Sequence, residues 1–152
     1  MAPNLDESRN SVWRLFLKSH AVLIDLIEQE LAQAGLPPLT WYDVLFALYE
    51  APNHRLRLHE LADALVLQRS NLTRLLDRLE AAGLVCRKSC PTDRRGAYAV
   101  ITEAGLEMRE RMWPVYSEAI AKYFARHLSD TDVEVFAESL KRILDDTRNS
   151  QT

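Results

Sequence analysis

The sequence predicts a mainly α-helical protein with a small β-wing, namely a winged helix-turn-helix between long N- and C-terminal dimerisation helices. Residues 58–82 hold two stretches with apolar residues three and four positions apart, which is typical of two short helices joined by a turn. Residues 84–101 hold two apolar, β-branched segments around a stretch with Pro, Asp and Gly, which predicts a β-hairpin. Longer amphipathic segments precede and follow this motif.

The first long helix is predicted from Arg9 to Ala34. Its apolar residues recur at helical spacing, and Gly35 followed by Pro37 and Pro38 prevents its continuation. A helix of this length extends over roughly 38 Å, at about 1.5 Å for each residue. Because a small winged domain is shorter than this, we expect part of the apolar stripe to contact another subunit.

A second helix is predicted to start at Thr40 and to run to about Glu50. Asp43 lies three residues after Thr40, which is the spacing of a capping box. The segment Arg55–Arg57 is then expected to form a short strand that pairs with the hairpin.

The helix-turn-helix is predicted to comprise a helix over Leu58–Leu65, a turn at Val66 and Leu67, and a second helix over Arg69–Ala82. Gly83 follows the second helix, and glycine readily takes the left-handed conformation that ends a helix. The predicted buried face of the second helix consists of Leu72, Leu75, Leu76 and Leu79. Its predicted solvent face consists of Arg69, Ser70, Asn71, Thr73, Arg74, Asp77 and Arg78.

The hairpin is predicted to consist of strands over Leu84–Lys88 and Tyr98–Ile101, with a turn over Ser89–Gly96. Arg94 and Arg95 lie at its tip. A doubly charged tip adds little to a hydrophobic core, whereas the narrow minor groove of DNA attracts guanidinium groups. We therefore expect the tip to bind an anion.

Two helices are predicted after the hairpin. Thr102 is expected to cap a helix from Glu103 to His127, which Pro114 should kink. Ser129 and Asp132 are expected to cap the last helix. Its apolar residues are Val133, Phe136, Leu140, Ile143 and Leu144.

Charge is distributed unevenly along the chain. From His54 to Gly96 there are nine Lys and Arg residues against five Asp and Glu residues, whereas the remainder has ten against seventeen. A basic segment inside an acidic chain favours a polyanionic partner. The formal net charge of −3 therefore does not exclude DNA binding.

The second helix and the hairpin together predict a surface for double-stranded DNA, because a helix has the width of the major groove. We expect Arg69, Asn71 and Arg74 to contact bases. Phosphate contacts are expected from Arg87, Lys88 and Arg94, and each neutralised phosphate adds about −0.9 to the slope of log affinity against log salt.

Three segments occur in order along the chain: LHELADAL, RSNLTRLLDRLEAAGLV and PTDRRGAYAVITEAG. Together they resemble the multiple antibiotic resistance regulator (MarR) family of bacterial transcription factors. The resemblance implies one domain over residues 1–152, with a DNA-binding lobe over 40–102 and dimerisation helices over 9–34 and 103–148.

The resemblance also assigns roles to individual residues. It implies that Arg74 contacts a base, that Arg95 enters the minor groove, and that Asp93 orients the hairpin tip. Gln68 departs from the family pattern, in which Ser or Thr often caps the recognition helix, and a weaker cap costs about 1 kcal/mol. We include Gln68 among the candidate DNA-binding residues.

Family resemblance further implies a homodimer and a small-molecule effector. Two recognition helices about 34 Å apart would read two half-sites of a pseudo-palindromic operator. Regulators of this kind, more often repressors than activators, are often released from DNA by small aromatic ligands. The candidate effector residues are Trp13, His20, Trp41 and Tyr42, which offer flat apolar walls with a few polar groups. An aromatic residue at helical spacing is more often part of a core, which is the alternative for each of them.

Two other functions stay open from the sequence. One is a winged-helix module that binds protein without binding DNA. The other is a redox-responsive regulator that acts through Cys86 or Cys90. In an extended strand their Cα atoms would lie ~13 Å apart, which is too far for a disulfide between them.

Enzyme, metal and membrane functions are not expected. The sequence lacks G-x-S-x-G, H-E-x-x-H, phosphate-loop and dinucleotide-binding glycine motifs. The four histidines show no metal-ligand spacing, so we expect no metal and no cofactor. The first ten residues lack the pattern of a signal peptide, and apolar runs stay shorter than the roughly 20 residues of a membrane span. We therefore expect a cytoplasmic bacterial protein.

Overall fold

The computed structural model describes residues 4–67, 71–90 and 93–150, with positions 90, 93–95, 149 and 150 described by their backbone alone. The helices of this part are α1 (Glu7–Gln33), α2 (Leu39–Glu50), α3 (Leu58–Ala64), α4 (Leu72–Ala81), α5 (Glu103–Tyr123) and α6 (Asp130–Ser150). The strands are β1 (Arg55–Arg57), β2 (Val85–Cys90) and β3 (Asp93–Ile101). They form an antiparallel sheet in the order β1-β3-β2. The predicted fold class is confirmed.

Helix α1 begins at Glu7, two residues before the predicted Arg9, and ends where the sequence signals place its end. Asp6 caps its first turn by accepting a hydrogen bond from the backbone N–H of Arg9, at 2.6 Å. At its other end Gly35 has a φ of 72°, and the Leu36 N–H donates to the Leu31 carbonyl at 2.9 Å. This is the bond pattern of a helix that ends in a left-handed glycine, so the predicted end is confirmed.

The predicted capping box of α2 is wrong. The helix begins at Leu39, one residue before Thr40, after an extended Pro38. The Asp43 carboxylate instead accepts hydrogen bonds from the backbone N–H groups of Val66 and Leu67. Asp43 therefore binds the backbone of a residue 23 positions later in the chain, and not the start of its own helix.

The predicted start of the recognition helix at Arg69 is also wrong. Helix α4 begins at Leu72, and Asn71 lies ahead of it with a φ of 64°. Asparagine tolerates this left-handed conformation better than most residues. Gln68, Arg69 and Ser70 lie outside the described residues.

The end of α4 is confirmed at Gly83, which has a φ of 77°. Thr102 links this turn to α5, because its hydroxyl donates to the Gly83 carbonyl at 2.7 Å and accepts from the Gly105 N–H at 3.1 Å. The predicted cap at Thr102 is thus confirmed. A Cβ on Gly105 would lie 2.2 Å from the Leu84 carbonyl oxygen, so only glycine permits this approach.

We use the name wing for the hairpin of β2 and β3. The predicted turn over Ser89–Gly96 is too long, because β2 extends to Cys90 and β3 starts at Asp93. Polar residues in this region continue the ladder, and the register shifts between Ser89 and Cys90. The predicted pairing of Arg55–Arg57 with the wing is confirmed, with Arg57 opposite Tyr98.

The last two helices differ from the predictions in one boundary. Helix α5 ends at Tyr123 rather than at His127, because Phe124 leaves the helical conformation with φ −123° and ψ −65°. The expected kink at Pro114 stays a prediction. The predicted cap of α6 is confirmed, since Ser129 and Asp132 exchange backbone-to-side-chain hydrogen bonds of 3.0 and 3.1 Å.

Buried apolar residues form two clusters, and α2 contributes to both. The lobe core joins α2, α3, α4 and the sheet through Val44, Leu45, Leu48, Leu61, Leu65, Leu76, Leu79, Leu84, Val85, Ala99 and Ile101. The body core joins α1, α2 and α5 through Ile27, Leu31, Leu39, Tyr42, Met112 and Ala119. Helix α2 therefore couples the winged motif to the long helices.

Helices α1 and α6 present more large apolar side chains to solvent than the other described helices do. The exposed residues are Val12, Trp13, Leu15, Phe16, Leu17 and Val22 on α1 and Val133, Val135, Ile143 and Leu144 on α6. Exposed apolar surface of this extent marks an interaction site. The single subunit thus leaves uncovered much of the helical surface that the sequence assigns to dimerisation.

Candidate nucleic-acid interface

Helix α4 presents a polar face outward from the lobe core. Leu76 and Leu79 are buried beneath it, whereas Thr73, Arg74 and Arg78 are exposed. The predicted orientation of this helix is confirmed for the described residues. Leu72 and Leu75, which the pattern places on the buried face, are only half-buried against the core. The helix is therefore anchored by Leu76 and Leu79 and offers one arginine on each of two successive turns.

The other predicted DNA contacts lie around this helix and along the wing. Asn71 is exposed directly ahead of α4. Lys88 is exposed on β2. The backbone of residues 93–95 lies at the start of β3, but the side chains of Asp93, Arg94 and Arg95 fall outside the described part. Gln68, Arg69 and Ser70 lie outside it entirely. The structure thus brings Asn71, Thr73, Arg74 and Arg78 together, with Lys88 on the adjoining strand.

Arg87 has protein partners that were not predicted from sequence, and its expected contact with a DNA phosphate stays a prediction. Its Nη2 atom lies 2.5 Å from the Asp77 carboxylate and 3.1 Å from that of Glu80. Its backbone N–H also donates to Glu80 at 2.7 Å. These hydrogen bonds, led by the backbone one, lower the pKa of the Glu80 carboxyl. Arg87 therefore ties the wing to α4, and its charge is neutralised within the protein.

Asp43 positions the turn that leads into α4, a role that was not predicted from sequence. Its Oδ2 atom lies 2.9 Å from the backbone nitrogens of both Val66 and Leu67. Its spacing from Thr40 suggested a local cap, and nothing in a single sequence indicates a partner 23 residues away. The carboxylate fixes the helix-turn-helix geometry from α2.

Replacing Asp43 with alanine is expected to lower the free energy of unfolding by about 1–3 kcal/mol, because two backbone donors would be left without a charged acceptor. Asp43→Asn is the matched control, since its amide oxygen can accept the same bonds, and it should retain most of the stability. Urea denaturation of the three proteins measures the difference. Equal stability of Asp43→Ala and the parent would show that the contact does not stabilise the turn.

Aromatic residues meet where α2 packs on α5. The Tyr42 ring stacks on Phe46 and on Trp113, with centroids 5.9 and 6.1 Å away, and meets the edge of Tyr116 at 5.0 Å. Burial raises the pKa of Tyr42, and a hydrogen bond from Arg109 opposes this rise. Tyr42 and Tyr116 belong to the body core, whereas Phe46 and Trp113 are exposed.

The four candidate effector residues occupy different surroundings. Tyr42 belongs to this aromatic cluster, whereas Trp41 packs against the lobe core on the other side of α2. Trp13 and His20 are exposed on α1, where Trp13 packs near Phe16 at 6.2 Å. A single subunit therefore does not bring all four residues into one pocket.

Arg109 supports the same region from α5. Its guanidinium carbon lies 3.8 Å from the centre of the Tyr49 ring. Among the described residues its buried Nε has no hydrogen-bond partner, and the cation–π contact supplies attraction to the charge instead. Arg109, Trp113 and Tyr116 were not predicted from sequence, because their partners on α2 are remote along the chain.

The described part of the chain offers few features for redox chemistry, metal binding or membrane insertion. Cys86 is a free, half-buried thiol on β2, and the side chain of Cys90 lies outside that part. No group of three or more His, Cys, Asp or Glu side chains there is placed to hold a metal ion. Likewise, no helix within the described ranges is long and apolar enough to cross a bilayer.

Known proteins match both the sequence and the fold. A family model described as MarR family matches residues 34–96. The HTH-type transcriptional regulator MhqR of Bacillus subtilis (strain 168) is 31% identical over 126 residues, which are 83% of this chain and 84% of that protein.

Two solved structures extend these matches. Sco3205, a MarR family transcriptional regulator from Streptomyces coelicolor in complex with DNA, has a TM-score of 0.87 and 29% identity, covering 95% of this chain and 91% of that one. CouR from Rhodococcus jostii RHA1, bound to p-coumaroyl-CoA, has a TM-score of 0.72 and 26% identity, covering 87% and 90%.

Proposed function

The chain belongs to the MarR family, and we propose that it is a dimeric, sequence-specific regulator of transcription that binds double-stranded DNA. The observation that carries this proposal is the outward arginine face of α4, held by buried leucines beside the wing. The DNA complex of Sco3205 supports the same partner for this chain. A dimer seated on an operator blocks other proteins from that duplex, so we propose a repressor.

We propose that DNA binding and subunit pairing are carried out by different segments of the chain. Residues 40–102 act as the DNA-binding lobe, and residues 9–34 and 103–148 pair two subunits. Asn71, Thr73, Arg74 and Arg78 enter the major groove. Arg94 and Arg95, oriented by Asp93, enter the adjacent minor groove. Gln68, Arg69 and Ser70, which precede α4 in the sequence, are proposed to bind DNA as well.

A small aromatic effector is part of the proposal. The aromatic cluster around Tyr42 adjoins Trp41, and α2 connects it to the Asp43 contact that fixes the recognition turn. A ligand that moves α2 would therefore move α4. Trp13 and His20 join this site once a partner subunit covers α1. The acyl-CoA bound to CouR supports a ligand with a flat aromatic group.

We assign no enzymatic activity, because the relatives that match over most of the chain are transcriptional regulators. We place the protein in the cytoplasm, because the DNA of bacteria such as those that carry its relatives lies there.

Arg74→Ala is expected to weaken binding to a selected operator by about 1–3 kcal/mol, or roughly 5- to 150-fold, and to relax discrimination at one base pair. Because Arg74 is exposed, the melting temperature should stay that of the parent. Fluorescence anisotropy with the operator, selected beforehand from random duplexes, and with point-mutated operators measures both effects.

Lys88→Ala provides the contrasting variant. Removing one phosphate-binding charge should weaken binding to operator and scrambled duplex by the same factor. If Arg74→Ala behaves in this same uniform way, α4 does not read bases. If the parent protein binds no duplex at low salt, the proposed regulator is ruled out in favour of a winged-helix module that binds protein.

A further inference from the structure

One face of the sheet gathers three cations around a single aromatic ring. Arg57 on β1 and Lys88 on β2 lie opposite Tyr98 of the central strand. Arg55 is two residues from Arg57, so its side chain projects from the same face. We name these four residues, Arg55, Arg57, Lys88 and Tyr98, the outer patch.

The outer patch faces away from the lobe core. Side chains alternate along each strand, and the intervening residues Leu56 and Ala99 pack into that core. Arg87, which neighbours Lys88, points to the inner side, where α4 holds it. Arg55 and Lys88 are accordingly exposed, whereas Arg57 and Tyr98 are half-buried.

The geometry of the outer patch favours a phosphate over a base. The guanidinium carbons of Arg55 and Arg57 lie 5.1 and 5.5 Å from the centre of the Tyr98 ring. At these distances the arginines occupy the ring, which is therefore not available for stacking on a base. The ring also restrains both arginine side chains, which reduces the entropy that binding would cost.

The spacing of the charges fits a row of phosphates. Neighbouring strands lie about 4.8 Å apart, so Arg57 and Lys88, on the two outer strands, are separated by about 10 Å at their backbones. Double-stranded DNA carries one charge for each ~1.7 Å of its axis, so a surface of this width meets several phosphates. Guanidinium groups bind phosphate oxygens through two parallel hydrogen bonds.

We propose that the outer patch binds the phosphate backbone of duplex DNA beside the segment that α4 reads, and so lengthens the footprint of each subunit. This proposal rests on the proposed DNA-binding function and adds Arg55 and Arg57 to its surface. Phosphate contacts carry no sequence information, so the patch contributes affinity and salt dependence but no discrimination.

The test is the salt dependence of binding to a random-sequence duplex of about 30 base pairs, measured by anisotropy from about 50 to 300 mM NaCl. The variant with Arg55→Gln and Arg57→Gln should reduce the slope of log affinity against log salt by about 0.9 for each phosphate that the patch no longer neutralises. The affinity ratio between selected and scrambled duplex should stay that of the parent. Arg55→Gln alone should give part of the effect, and it leaves Arg57, which precedes α3, in place.

A matched control removes two exposed cations elsewhere, through Lys141→Gln and Arg142→Gln on α6. This control has the same net charge as the double variant. Light scattering should show that it stays dimeric, and it should then keep the parental slope. If the parent, the double variant and Arg55→Gln have equal slopes, the proposal is overturned. The two arginines would then serve only as charges that prevent the exposed edge of β1 from pairing with a strand of another molecule. That outcome leaves the proposed function intact, whereas a parent without salt-dependent DNA binding overturns both.

Discussion

Replacing Ile143 and Leu144 with aspartate is expected to convert the dimer to a monomer and to weaken operator binding by about 100-fold or more. Both residues are largely exposed within one subunit, at 57% and 66%. A dimer that covers them would have to bury four unpaired carboxylates, which is strongly unfavourable. Dissociation of the dimer removes the gain of roughly 10²–10⁴ that two linked half-sites provide.

Light scattering and anisotropy measure the two effects on the same sample. The parent should have about twice the 17.5 kDa mass of one chain, and the variant should have the mass of one. The variant should still fold, because neither side chain belongs to either core of a single subunit. The control, Thr131→Asp with Lys141→Gln, makes the same change in net charge at exposed positions of α6 and should stay dimeric. A dimeric Ile143→Asp, Leu144→Asp variant would place the subunit interface elsewhere.

Leu79→Ala is expected to lower the free energy of unfolding by about 2–5 kcal/mol. The side chain is fully buried between α4 and the rest of the lobe core, so its truncation leaves a cavity. Chemical denaturation measures the decrease. DNA binding should weaken as well, because the cavity lies beneath the recognition surface.

Two neighbouring substitutions serve as controls for Leu79→Ala. Leu75→Ala should cost less, because Leu75 is only half-buried. Thr73→Ala lies on the exposed face and should change stability by no more than about 0.5 kcal/mol. If Leu79→Ala and Thr73→Ala cost the same, α4 is rotated relative to the structure.

Features encoded within a few residues were predictable from sequence. The glycine that ends α4, the cap at Thr102 and the reciprocal cap of Ser129 and Asp132 each depend on contacts between near neighbours. The buried leucines of α4 follow from a periodicity that one turn of helix imposes. These local rules were sufficient for the fold class.

Contacts between distant segments were not predictable in the same way. Asp43 was assigned to its own helix, yet it holds the turn before α4. Arg87 was assigned to DNA, yet Asp77 and Glu80 bind it. In both cases a charged residue satisfies partners that become neighbours only when the chain folds, so local spacing carries no signal for them.

The strands of the wing are longer than their residue types predicted. Asp, Pro and Gly predicted a long turn, yet the backbone ladder continues through polar positions as far as Cys90 and from Asp93. Strand propensity depends on neighbouring strands more than on the residue itself. The aromatic cluster is a similar case, because Tyr42 and Trp113 come from different helices and meet only when α2 packs on α5.

Two subunits are proposed to place their α4 helices in successive major grooves of one duplex. Selection of bound fragments from a random duplex library, followed by light scattering of the selected complex, distinguishes this arrangement from any other. We expect inverted half-sites with centres about 10 base pairs apart and two chains on each duplex. Fragments without such symmetry, or one chain on each duplex, would show that the subunits do not bind DNA as a pair.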